Sequence, residues 1–124
     1  MKLNELYSFL DDNIGVDIFP IMVPVDHTGD CITYNLDRME YDENFDGEDN
    51  FYQAILTFFC VSPKAVQAIE ISEELEGLLE PFTGELVAGG QYVQDTRLLD
   101  KRTMYDDGAK VYGVGLTVQF TYNT

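Results

Sequence analysis

Positive charge is what this chain has least of: seven lysines and arginines stand against 23 aspartates and glutamates, a formal net charge of −16 over 124 residues. Gripping nucleic acid depends on neutralising phosphates with Lys and Arg, and anionic membranes are bound through the same residues, so the composition argues against both. Histidine occurs once, at His27, and a histidine-containing catalytic triad would have to use it. It lies in the turn-like segment VDHTGD with no Ser or Cys nearby in a nucleophile motif, which reads as a surface position. Cysteine occurs twice, at Cys31 and Cys60, each inside an apolar run and neither in a CxxC or Cys/His cluster. Buried reduced thiols are the expectation, with a disulfide between neighbouring strands left open.

Other signatures are missing as well. There is no P-loop, no GxGxxG and no metal-ligand cluster, so the chain reads as a structural or binding protein and not as an enzyme, with no cofactor. Polar and acidic residues interrupt the apolar positions of MKLNELYSFLDDN, which excludes a signal peptide, and no run reaches membrane-span length. A cytoplasmic setting follows. At this length one domain, residues 1–124, can bury its own core without a staple.

What the chain does have is strand pattern, most clearly in KVYGVGLTVQFTY, residues 110–122. Tyr112, Val114, Leu116, Val118, Phe120 and Tyr122 alternate with Val111, Gly113, Gly115, Thr117, Gln119 and Thr121, the signature of a half-buried antiparallel strand. Asp106-Asp107-Gly108 before it is a hairpin turn signal, which pairs it with the polar strand of residues 92–104, where Arg97, Lys101 and Arg102 stand among acids. Thirteen residues at about 3.4 Å each extend roughly 44 Å, against a radius of gyration of about 14 Å for a domain of this size. The hairpin must therefore curl or project. A bare two-stranded ribbon is marginal in water, so a projecting one needs a partner. Gly113 and Gly115 are candidate sites of a bend or close backbone approach.

Earlier in the chain, Leu3, Leu6, Tyr7, Leu10 and Ile14 follow the spacing of one helix face, with Asn13 and Gly15 as a stop. The apolar run VDIFPIMVPVDHTGD is broken by Pro20 and Pro24, which confines it to an edge strand or an extended arm. Residues 31–41 (CITYNLDRMEY) read as a strand with Ile32, Tyr34 and Leu36 inward. Residues 51–61 (FYQAILTFFCV) are apolar on both faces, with Tyr52, Ala54, Leu56, Phe58 and Cys60 on the fuller one, so a central strand covered on its second face as well is expected. Ser62-Pro63 opens a second helix, with Ser62 as N-cap, whose stripe runs through Ala65, Ala68, Ile69, Ser72, Leu75 and Leu79 and is widened by Ile71, Leu78 and Phe82 up to Pro81. TGELVAGG is a turn-rich connector with room for a short strand, and Gly89-Gly90 reads as flexible backbone. The sum is an α+β fold: a mostly antiparallel sheet of four to five strands with two helices packed on one face and a long C-terminal β-hairpin.

One loop invites a chemical reading. EYDENFDGEDN holds six carboxylates in eleven residues and must be solvated. Within it Asp42, Asn44, Asp46 and Gly47 match the opening of a calcium loop, but the twelfth position is Gln53 where a bidentate Glu is required, and the flanks read as strands. Glu73, Glu74, Glu76 and Glu80 are the solvated face of the second helix and not a glycosidase carboxylate pair.

The order of parts resembles the tail terminator proteins of long-tailed bacteriophages, also called tail completion or head-to-tail joining proteins. The matching pieces are the N-terminal helix with its Pro-containing run, the strand CITYNL, the strand and helix FYQAILTFFCVSPKAVQAIEISEELEGLL, and the closing strand VYGVGLTVQFTY, which together cover nearly the whole chain. The resemblance implies a virion protein of the tail or neck, assembled in the host bacterial cytoplasm. It implies a homo-oligomeric ring, commonly a hexamer, that caps the tail tube protein and joins it to the head connector protein while DNA passes through. It implies no catalysis and no cofactor. In such a ring Arg97, Lys101, Arg102, Lys64 and Arg38 are expected at subunit contacts, with Thr117, Gln119 and Thr121 on the outer face of the closing strand. An alternative of another class is a small acidic inhibitor that mimics DNA. Such a mimic calls for carboxylates in regular rows, whereas here they gather in one loop, one helix face and the turns.

Overall fold

The computed structural model describes residues 2–20, 29–42, 51–80 and 82–123. The elements run α1 (Leu3–Asn13), β1 (Asp17–Pro20), β2 (Cys31–Asp42), β3 (Phe51–Ser62), α2 (Ala65–Leu79), β4 (Gly84–Glu85), β5 (Tyr92–Asp106) and β6 (Val111–Asn123). The strands form one sheet in the order β1-β2-β3-β6-β5-β4. The α+β class holds, but the expected four to five strands are six and the sheet is mixed, because β1 runs parallel to β2 while every other pair is antiparallel. The count rises because both open alternatives form strands at the sheet edges: the Pro20 run, expected as an edge strand or an extended arm, gives β1, and the turn-rich connector gives the two-residue β4.

Period-two alternation places the core. On β3 the buried side chains are Ala54, Leu56, Phe58 and Cys60, and on β6 they are Val114, Leu116, Val118, Phe120 and Tyr122. Both helices pack on this one face, joining these residues in a single cluster through Leu6, Phe9 and Leu10 of α1 and Ala68, Ile71, Leu75 and Leu79 of α2. Phe58 lies at its middle, with ring centroids 5.8 Å from Tyr34 and 6.3 Å from Phe120. Burying each such ring contributes on the order of 1.5–3 kcal/mol.

The helices differ in detail from their sequence reading. In α1 the buried set is Glu5, Leu6, Phe9 and Leu10, while Tyr7 is exposed. The Glu5 carboxylate is drawn inward because its Oε1 accepts the Gln91 N–H at 3.2 Å. That contact also explains Gly90: a Cβ there would overlap Glu5 Oε1 and stand 2.6 Å from Val87 Cγ2, so the glycine is a close-packing position, while its neighbour Gly89 holds a left-handed φ of 75°. Ser62 is the last residue of β3 and not a helix cap; its hydroxyl accepts the Lys64 N–H at 3.1 Å, and α2 begins at Ala65. The helix ends where Glu80 turns extended ahead of Pro81, since a residue before proline is kept out of the helical region.

The two cysteines are free. Cys31 pairs with Val61, and Ile32 with Cys60, so the two thiols sit on adjacent strands but on opposite faces of the sheet and cannot be bridged.

Candidate assembly surface

The helices cover one face of the sheet only. Among the described residues nothing covers the second face of β3 as expected, and Gln53, Ile55, Thr57, Phe59 and Val61 there are half-buried. Register builds the rest of this open face, with Thr57 beside Thr117, Phe59 beside Gly115, Gly115 beside Arg102, Gly113 beside Met104, and Gln119 beside Arg97. It mixes polar side chains such as Thr57, Thr117 and Gln119 with the apolar Ile55, Phe59 and Met104.

Its centre is a short hydroxyl ladder. Thr57 Oγ1 donates to Asp37 Oδ2 and lies 3.3 Å from Thr117 Oγ1, tying β2, β3 and β6 together across the open face. Asp37 reaches that face because β2 bulges there, the register slipping between Leu36 and Arg38. Beside the ladder, Thr57, Phe59, Asp100, Arg102, Met104, Gly115 and Thr117 line a shallow groove of about 280 Å³. The glycines make its floor. A Cβ at Gly113 would meet Met104 Cγ at 3.1 Å and one at Gly115 would meet the Phe59 ring at 3.4 Å, so the missing side chains let Met104 and Phe59 lie flat on the strand.

The residues expected at subunit contacts fall in two groups. Arg97, Arg102, Thr117, Gln119 and Thr121 share the open face, where Arg102 Nε donates to Asp100 Oδ2 at 2.7 Å. Lys101 points to the helix face, and its ammonium is 3.6 Å from Glu76 Oε2 of α2. Lys64 lines a separate groove with Gly29, Asp30, Ser62, Pro63 and Gln67. Arg38 is exposed on β2 next to the bulge. Sequence reasoning missed Asp37, Phe59 and Met104. Thr57 and Thr117 were legible as strand residues, but the pairing that makes them a ladder needs the register.

The hairpin projects as its length demands. Every residue of 99–110 is exposed, the ladder continues to Asp106 opposite Val111, and the rings of Tyr105 and Tyr112 pair at 4.7 Å beyond the core. The turn is held by Asp106 Oδ1, which accepts the N–H groups of Gly108 at 3.0 Å and Ala109 at 3.1 Å. The left-handed residue of the turn is Lys110, with φ of 55°, and not the glycine of the DDG signal.

The thiols are inert in this setting. Burial pushes the Cys60 thiol up to about 12, with Cys31 adding to the shift, and burial likewise raises Cys31, helped by Asp17 and Asp30. Among the described residues no three His, Cys, Asp or Glu side chains gather as a metal site, and no helix is long and apolar enough to cross a membrane. His27 and the calcium-loop residues Asn44 and Asp46 lie outside the described residues, as does the side chain of Asp42.

No protein family matches the chain, and no curated protein is similar to it. The fold does match a chain of a solved structure, the virion of a native gene transfer agent (GTA) particle, with a TM-score of 0.61 at 9% identity over 98% of this chain and 91% of that one. The likeness is one of fold.

Proposed function

We propose that this protein is a structural subunit of a phage-like virion, a tail terminator or head-to-tail joining protein whose copies form a ring, commonly of six, capping the tail tube where it meets the head connector. The observation that carries the reading is the shared fold, end to end, with a chain of a gene transfer agent virion. The order of helix, strand and hairpin that resembles the tail terminators points the same way.

Physical features fit such a part. A ring subunit needs a surface for its neighbours, and the open sheet face and projecting hairpin offer one. A net charge of −16 suits a wall past which DNA moves, because it repels phosphates and does not hold them. The role asks for no catalysis and no cofactor.

Electron micrographs of isolated phage-like tails incubated with the purified protein test this directly. Added density at one tail end is expected, and tails that stay bare overturn the reading.

A further inference from the structure

The sequence of β3 is apolar on both faces, the pattern of a strand covered on both, yet the two helices of this chain pack on one. A sheet buries an apolar face by taking a further layer against it. The part of the open face around the hydroxyl ladder has the chemistry to take one. Its groove is lined wholly by described residues, with Phe59 and Met104 lying over Gly115 and with Arg102 and Met104 exposed at the rim. Arg97 follows Arg102 on the same face of β5; of the acids nearby, Asp100 is engaged by Arg102 and Asp37 by Thr57. Charge singles out this region. The hairpin is formally neutral, with Arg97, Lys101, Arg102 and Lys110 against Asp95, Asp100, Asp106 and Asp107, while the rest of the chain carries the whole −16. It is the element that a second acidic copy can approach without repulsion.

The chain itself presents a matching layer on the far side of the sheet. The outward stripe of α2 runs through Val66, Ile69, Glu70, Glu73 and Gly77, spaced as one helix face, and all are exposed. It is not the wholly polar stripe of a helix that meets only water: Val66 is 67% exposed and Ile69 43%. Gly77 belongs to it as well. A Cβ there would meet nothing, so no packing within the chain calls for a residue that weakens a helix, whereas bare backbone lets a second chain come close. While Glu76 and Glu80 are engaged by Lys101 and the Leu98 N–H, Glu70 and Glu73 face outward beside the apolar pair.

We propose that the outward stripe of α2 in one copy lies on the open sheet face of the next, Val66 and Ile69 against Phe59 and Met104, with Glu70 and Glu73 toward Arg97 and Arg102. Apolar surface meets apolar surface, and the acidic helix meets the cations of the neutral hairpin. The two surfaces lie on opposite sides of the sheet, so one copy engages two neighbours at once. Such a contact is head-to-tail, and its repetition forms a ring when the rotation closes. The inference rests on the ring reading above and names the surfaces that make the ring.

Single-cysteine variants test it. Val66→Cys, Ile69→Cys or Glu73→Cys protein is mixed with Arg102→Cys or Met104→Cys protein under mild oxidation, at a concentration where light scattering reports an oligomer. These positions are exposed, so the substitutions leave the core intact, and the native thiols are buried and stay silent. A disulfide dimer in at least one mixture, and in no variant alone, is expected. A dimer formed by an α2 variant alone shows helix against helix, one formed by a β5 variant alone shows sheet against sheet, and either overturns the inference. So does an oligomer that yields no mixed disulfide, which leaves the ring reading standing. A chain that stays monomeric at roughly millimolar concentration also overturns the contact, and the tail micrographs then judge the ring reading independently. The double variant Glu70→Lys, Glu73→Lys supplies a second readout, because it lowers the general repulsion between copies while setting lysines against Arg97 and Arg102. Weaker association than the parent chain is expected, and stronger association overturns the contact.

Discussion

Thr96 of β5 donates its hydroxyl to the carbonyl of Leu79, the last residue of α2, and the same oxygen accepts the Phe82 N–H at 2.8 Å. Helix C-termini leave carbonyls without partners, and a buried one is costly unless a side chain reaches it. Here one buried threonine serves both the end of the helix and the chain that leaves it, fixing α2 against the strand. Thr96→Val keeps the shape and removes both bonds. It is expected to lower stability by about 1–3 kcal/mol, read from urea denaturation, with Thr96→Ser recovering most of the loss.

Alkali should loosen the fold through its buried thiols and phenols. Cys60 is pushed up to about 12 by burial, and burial also raises Cys31, Tyr34 and Tyr122. In the unfolded chain a thiol ionises near its ordinary value of about 8.5. Above that pH the unfolded state binds fewer protons than the native state, so stability falls as pH rises. For Cys60 the loss begins near pH 9 and runs to about 12, on the order of a few kcal/mol. Melting temperatures across this range should fall steadily, and Cys60→Ala should flatten the slope despite its own small packing cost.

At the hairpin tip Lys110 holds a φ of 55°. A side chain in the left-handed region costs roughly 1–2 kcal/mol, and glycine is free of that strain but loses more backbone entropy on folding. Lys110→Gly is therefore expected to stabilise by about 0.5–1 kcal/mol. No change or a loss in the denaturation midpoint counts against the strained turn.

These positions mark the boundary of what could be read without the structure. Tyr52, Ala54, Leu56, Phe58 and Cys60 were legible as the inner face of a central strand because a strand's period is two whatever surrounds it. The inward stripe of α1 was legible through Leu6, Leu10 and Ile14, but which aromatic widens it was not. Tyr7 and Phe9 are both aromatic, and the choice between them is made by the position of the sheet and by the Glu5 bond to Gln91, 86 residues away. The parallel pairing of β1, the bulges at Asp37 and Leu99, and the left-handed Lys110 are likewise decided by partners distant in sequence. The candidate surface followed the same rule. Its basic residues and the outward Thr117, Gln119 and Thr121 were visible, whereas the Asp37, Thr57 and Thr117 ladder and the diversion of Lys101 to Glu76 required the register.

Arg97 and Arg102 put the charge argument to its hardest test. Both are exposed on the open face of β5, where Arg102 pairs with Asp100 on its own strand, a surface pair worth little to folding. Replacing both by glutamate should change stability by no more than about 0.5 kcal/mol. It would, however, turn the neutral hairpin strongly negative beside an already acidic neighbour, so self-association should weaken. Screening at high ionic strength should restore part of it. Light scattering at low and high salt reads both effects together. An oligomer mass that the double substitution leaves unchanged at low salt would remove the hairpin from the contact, whereas loss of assembly with an unaltered denaturation curve places these two cations at the interface.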